Sequence, residues 1–135
     1  MLKERILSLV YGRLPELRTE IENTFKEYWV DPEVHGIYVI WVMSIAFCIN
    51  RLLEQPEKNK MLLKKVFAMF EEMAARDDEE MRSFLTYTIL DEFRSKKELA
   101  QTAVGFMGKE TKKCWMELDE YWKQLSLWQL SQNQG

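Results

Sequence analysis

One all-α domain is the fold class this sequence predicts, on three observations. Glycine and proline are scarce, at five and three in 135 residues. A turn-rich β sandwich needs more of both, whereas helices joined by short connections do not. Apolar residues recur at three- and four-residue spacing along most of the chain, which is the repeat of a helix face. Residues 37–49 are apolar throughout except for Ser44. A helix apolar all round has to be buried all round, so this run predicts a central helix with the others stacked about it. It is shorter than the roughly 20 apolar residues that cross a bilayer.

The elements follow in order. A first helix is expected over residues 2–11, where Leu2, Ile6, Leu7, Leu9 and Val10 are apolar and Gly12 and Pro15 punctuate its end. Pro15 suits an early position of the second helix, which runs to about Trp29 with Leu17, Ile21, Phe25 and Tyr28 on one face. Arg18, Glu22 and Lys26 share another face at four-residue spacing, where they can pair. Asp31 is the predicted N-cap of the central helix, its carboxylate accepting a backbone N–H one turn on, with Pro32 as the first helical residue. That helix stops near Gln55, because Pro56 disfavours helical geometry in the residue before it.

A fourth helix is expected over residues 57–76, with Leu63, Val66, Phe67 and Phe70 in a broad apolar stripe. Asp77 or Asp78 caps a fifth, which runs to about Phe93 on a stripe of Met81, Phe84, Leu85, Thr88, Ile89 and Phe93. A shorter helix covers residues 97–107 and ends at Gly108, a fitting residue just past a helix end. The last begins at Lys109 or Glu110 and runs to about Leu130, with Trp115, Leu118, Trp122 and Leu125 on one face. Residues 1–130 thus form one helical domain, and residues 131–135 a polar, frayed tail.

Totals narrow the function. The chain is long enough to bury a core without disulfides or metal. A net charge of −3 argues against a nucleic-acid or anionic-membrane partner, both of which favour a basic excess. Cys48, inside the apolar run, reads as a small buried hydrophobe, and nothing requires it to pair with Cys114. The opening MLKERILSLV is amphipathic and lacks a small-residue cleavage pattern, so a reducing cytoplasm is the expected location.

A weak internal repeat accompanies these elements. The segment from Phe25 through Asp31 to Val34 parallels the one from Phe70 through Asp77-Asp78 to Met81, with Val34 and Met81 47 positions apart. In each, an aromatic-led helix end, an acidic cap and a longer helix follow one another. The stretch ARDDEEMRSFLTYTILDEF resembles the second half of a HEAT-type repeat. Glu80, Met81 and Arg82 match its acidic, apolar and basic triplet, and Asp77 or Asp78 its acidic turn. At the first copy Asp31, Glu33 and Val34 match, while His35 replaces the basic residue. The resemblance implies six or seven helices in stacked antiparallel hairpins, a HEAT-like, right-handed array. The closing GKETKKCWMELDEYW is similar to small bacterial helical proteins, some of them immunity proteins for secreted toxins. That likeness implies a toxin domain as partner.

Catalytic constellations are few. His35 is the only histidine, so HExxH zinc sites and di-iron bundles with two Glu-x-x-His motifs are excluded. An all-carboxylate magnesium site needs acids at helical spacing on two helices. Glu117 with Glu120 and Asp77 with Glu80 have the spacing, without a clean match on a neighbour. No serine or cysteine has an evident base. Gly105 and Gly108 do not make a phosphate loop. Lysine groups at 58–65 and 109–113 read as solvated helix faces. No cofactor is implied.

The acidic stretch from Glu71 to Arg94 holds eight acids against three bases. Half of the acids sit at a helix start, where the macrodipole stabilises them. A second reading is a partner surface. Glu80, Ser83, Tyr87 and Asp91 share a face turned from the apolar stripe, and the last helix offers Asp119, Glu120 and Lys123. Aromatics anchor interfaces and charge steers encounter. Trp128, near the chain end, is the expected exposed anchor. The resulting expectation is a non-enzymatic protein-binding domain, an immunity protein that occludes a basic toxin domain's active site. A carboxylate-metal helical hydrolase and a scaffold or adaptor of a larger assembly are the alternatives.

Overall fold

The computed structural model describes residues 1–134, and among these it is all-helical, with seven helices. Helix α1 is Leu2–Arg13, and α2 is Arg18–Glu27, entered through a 3₁₀ turn at Pro15–Leu17. Helix α3 is Ile37–Glu54, and α4 is Lys60–Ala75. Helix α5 covers residues 79–94. Helices α6 and α7 are Lys97–Phe106 and Lys109–Gln134. The polar segment expected to fray continues α7 as helix through Gln134, and Gly135 lies outside the described residues.

The apolar stripes set the packing. Helix α4 lies at the centre, against α1, α3, α5, α6 and α7. Its Phe67 stacks with Phe93 and Phe106 and meets Phe70 edge to face. Phe70 and Trp41 are in turn tilted against each other, with Trp41 buried. The sequence placed α3 in that central role. Its inner stripe of Ile40, Trp41, Ser44, Ile45, Cys48 and Ile49 is indeed buried. Burial all round is corrected by the outer stripe: Val39, Met43 and Phe47 are each more than a third exposed. At 18 residues the whole of α3 is long and apolar enough to cross a membrane, but 56% of it is buried inside the domain.

The start of α3 also differs from expectation. Asp31 does not cap it. Its side chain accepts the Glu33 N–H (3.0 Å), its carbonyl accepts those of Val34 and His35, and its own N–H donates to His35 Nδ1 (2.9 Å). These bonds close a local turn, and the helix begins after Gly36, whose backbone is extended. Lys3 fastens the turn to α1 through the Pro32 and His35 carbonyls. By contrast Asp78 caps α5 as predicted, accepting the Met81 N–H at 3.2 Å.

Helices α3 and α5 each contain a π-helical turn, at Trp41–Ile45 and Leu85–Ile89. A hydroxyl marks each. Ser44 donates to the Ile21 carbonyl of α2 (3.2 Å) and pairs with Thr24, while Thr86 bonds the Arg82 carbonyl (2.9 Å). Ser44, the one polar residue of the apolar run, is thus satisfied across the α2–α3 seam.

Ion pairs bind α1 to the middle of the chain. Arg5 reaches Asp78 and Glu80, and Arg13 grips Glu72 with two bonds of 2.8 Å. Arg76 also donates to Glu72. The Arg13 contact, foremost, holds the Glu72 carboxyl down at about 2.

Glu71 does a different job. Its carboxylate accepts the N–H groups of Glu110 and Thr111 and the Thr111 hydroxyl, each at 2.8 Å. It therefore caps α7 from another helix. Burial works against its charge, yet these donors prevail and keep the carboxyl below its usual range. Gly108 follows the end of α6 as expected, though its φ is not positive. Its role is room: a Cβ there would stand 2.6 Å from the Glu71 carboxylate.

Candidate protein-binding face

Tyr87 and Asp91 lie one turn apart on the outer side of α5, and α7 runs alongside. Tyr87 meets Tyr121 edge to face with centroids 5.4 Å apart, and Tyr121 meets Trp122 at 5.6 Å. Both distances are in the favourable range for aromatic pairs. The Trp122 indole N–H donates to Asp91 Oδ1 at 2.9 Å, which fixes the ring. The Arg94 guanidinium stacks over that ring, 4.6 Å from its centroid. Half of each tyrosine is left open to solvent while Trp122 packs partly on the core.

Two grooves meet at this cluster. One, of about 380 Å³, is lined by Tyr87, Asp91, Leu118, Tyr121 and Trp122. The other passes between α3 and α5, where Tyr38 and Val42 face Tyr87, Thr88, Asp91 and Glu92. Val42 belongs to one π turn, and Tyr87 and Thr88 to the other. Such turns recur at functional positions, because the extra residue per turn re-aims side chains. The residues lining the two grooves carry two carboxylates and no basic side chain.

The sequence-predicted residues divide. Tyr87 and Asp91 sit in the cluster. Asp119 and Lys123 pair at 3.2 Å and line a further groove beside Trp122 and Arg94. Glu80 instead turns to Arg5 of α1, and Glu120 accepts the Gln124 amide at 3.0 Å along its own helix. Ser83 is exposed between Glu80 and Tyr87. Trp128 is exposed two turns beyond Tyr121, about 10 Å further along α7. Tyr38, Tyr121 and Arg94 were missed. Tyr121 carried a signal, being an aromatic beside the predicted core residue Trp122, hence on the flank of the buried stripe.

Groups with reactive chemistry lie elsewhere and are occupied. His35 closes the Asp31 turn. Cys48 and Cys114 are buried free thiols, and burial pushes Cys48 up to about 12. Of the acids with metal-site spacing, Glu117 pairs with Arg82, Glu80 with Arg5, and Glu120 accepts the Gln124 amide. Among the described residues no group of three or more His, Cys, Asp or Glu side chains is placed to hold a metal ion.

Fold and face together define a small all-helical domain with an aromatic, carboxylate-edged surface. The chain belongs to a family described as a domain of unknown function, DUF7674, whose profile matches residues 7–123. That match takes in Tyr87, Asp91, Tyr121 and Trp122 and stops short of Trp128. No curated protein and no solved structure matches the chain.

Proposed function

We propose that the protein is a non-enzymatic binding module acting in the cytoplasm, and specifically an immunity protein that neutralises a toxin domain. The observation that carries the reading is the Tyr87–Tyr121–Trp122 cluster with Asp91. Aromatic rings held by one another and by a buried-edge carboxylate present large contact area at little entropic cost, the property of interface anchors. The carboxylates at the groove favour a basic counterpart, such as the cationic substrate cleft of a toxin. Inhibition then works by occlusion: the face covers the cleft and substrate cannot enter.

The test is calorimetric titration of the protein against the toxin domain of a secreted toxin whose gene lies next to its own. A stoichiometric complex is expected, and Tyr121→Ala or Tyr87→Ala should weaken it about 30-fold or more. Absence of a complex, or tyrosine variants that bind as the parent does, would sink the reading.

A further inference from the structure

Trp29 marks a second surface, roughly 100° round α3 from the residues that line the groove. It is the only non-glycine residue with a positive φ among those described, at 59°. It follows α2 where the Val30 N–H reaches back to the Phe25 carbonyl (2.8 Å). Such a closing turn needs a left-handed residue and usually takes glycine or asparagine. A tryptophan is strained there. Its indole is also 89% exposed, so burial does not offset the strain. Strain of this kind persists where a side chain has a use.

Tyr28, the residue before Trp29, is also exposed and opens an apolar patch. Tyr28 stacks on Phe47, with centroids 5.2 Å apart and planes 10° apart. Met43 and Val39 continue from Phe47 along the outer stripe of α3. Together the five side chains leave about 500 Å² open, as judged from typical aromatic side-chain areas. Scattered exposed hydrophobics are ordinary, and a patch of about 500 Å² is as large as the largest that a typical monomer carries, a size that is often functional. At its edge Lys26 and Glu27 are adjacent and exposed, and neither forms an ion pair among the described residues.

We propose that this patch binds the same patch on a second copy of the chain, in a two-fold dimer. Two patches bring together about 1,000 Å², the lower bound of a specific interface before the polar rim is added. A two-fold contact sets a surface against itself, so its chemistry must be self-complementary. The five central side chains carry no charge to repel their counterparts. Lys26 beside Glu27 lets the lysine of each copy meet the glutamate of the other. The aromatic groove of α5 and α7 stays free, so the dimer presents it twice.

Light scattering across a dilution series from about 1 to about 200 µM tests this. The mass should rise from 16.2 kDa towards twice that value. Trp29→Gly suits the left-handed position and so keeps the fold, and it should weaken dimerisation about 30-fold or more. Phe47→Glu should do the same by putting a charge into the apolar patch of each copy. A chain that stays at 16.2 kDa throughout overturns the proposal. So does a Trp29→Gly protein that dimerises as the parent does. Sedimentation of a monomeric chain with phosphatidylcholine vesicles also overturns it, in favour of a lipid surface.

Discussion

At its N-terminal end α5 is laced to its neighbours by ions, and at its C-terminal end it is edged with aromatics. Around the first turn, Asp78 and Glu80 take Arg5, and Arg82 takes Glu117. On the preceding helix Glu71 and Glu72 are engaged as well. Around the last turns, Asp91 accepts only an indole N–H while two tyrosines face solvent. One acidic stretch of sequence therefore contains two populations. In the first group Glu71, Glu72, Asp78 and Glu80 are spent on bonds within the molecule, while in the second Asp91 borders an open surface. Charge along a sequence says little about availability until the cations of other helices are placed.

Substitutions can break or sharpen this contrast. The largest effect is expected at the structural end. Glu71→Ala removes three bonds from the start of α7 and leaves donors unsatisfied, so it should lower unfolding free energy by about 2–4 kcal/mol, read by urea denaturation. Gly108→Ala pushes the same carboxylate off its donors and should cost about 1–3 kcal/mol. In the double variant the two losses should fall short of their sum, since both remove one contact.

The pH dependence comes next. Glu72 has a depressed carboxyl pKa, so its contribution is complete above the ordinary carboxylate value of 4.5 and is lost as pH falls towards about 2. The parent should lose about 1 kcal/mol across that window through this group, the solvent around a part-exposed pair having screened the rest. Glu72→Gln should flatten that part of a stability–pH profile. The smallest effect on stability is expected at the open end. Tyr121→Ala and Tyr87→Ala should each change it by less than about 1 kcal/mol, measured by the same denaturation. A larger loss would make the tyrosines part of the core and erase the contrast.

The helices were legible because their apolar stripes outlast any local ambiguity. Asp78 was legible as a cap because an acid directly preceding an apolar-periodic run has one local use. Asp31 looked alike and behaved otherwise, since His35, four residues on, offered its backbone a competing partner. The π turns left no trace in spacing, because one extra residue per turn is absorbed within the scatter of apolar positions. The exposed stripe of α3 was hidden for another reason. Composition reports that Val39, Met43 and Phe47 are apolar but not that the neighbours of α3 cover only its other sides. Of the face, Tyr87 and Asp91 were readable from helical phase. Their meeting with Tyr121 and Trp122 depends on how α5 and α7 lie together, which no single helix encodes.

The first turn of α7 takes its acceptor from a residue 39 and 40 positions earlier in the chain. That arrangement ties the fixing of the last helix's first turn to the helix that carries Glu71. Until α4 has formed and turned Glu71 toward it, the opening amides of α7 have only water to bond. Amide exchange at Glu110 and Thr111 should therefore report the opening of α4, and the two helices should come apart as one cooperative unit.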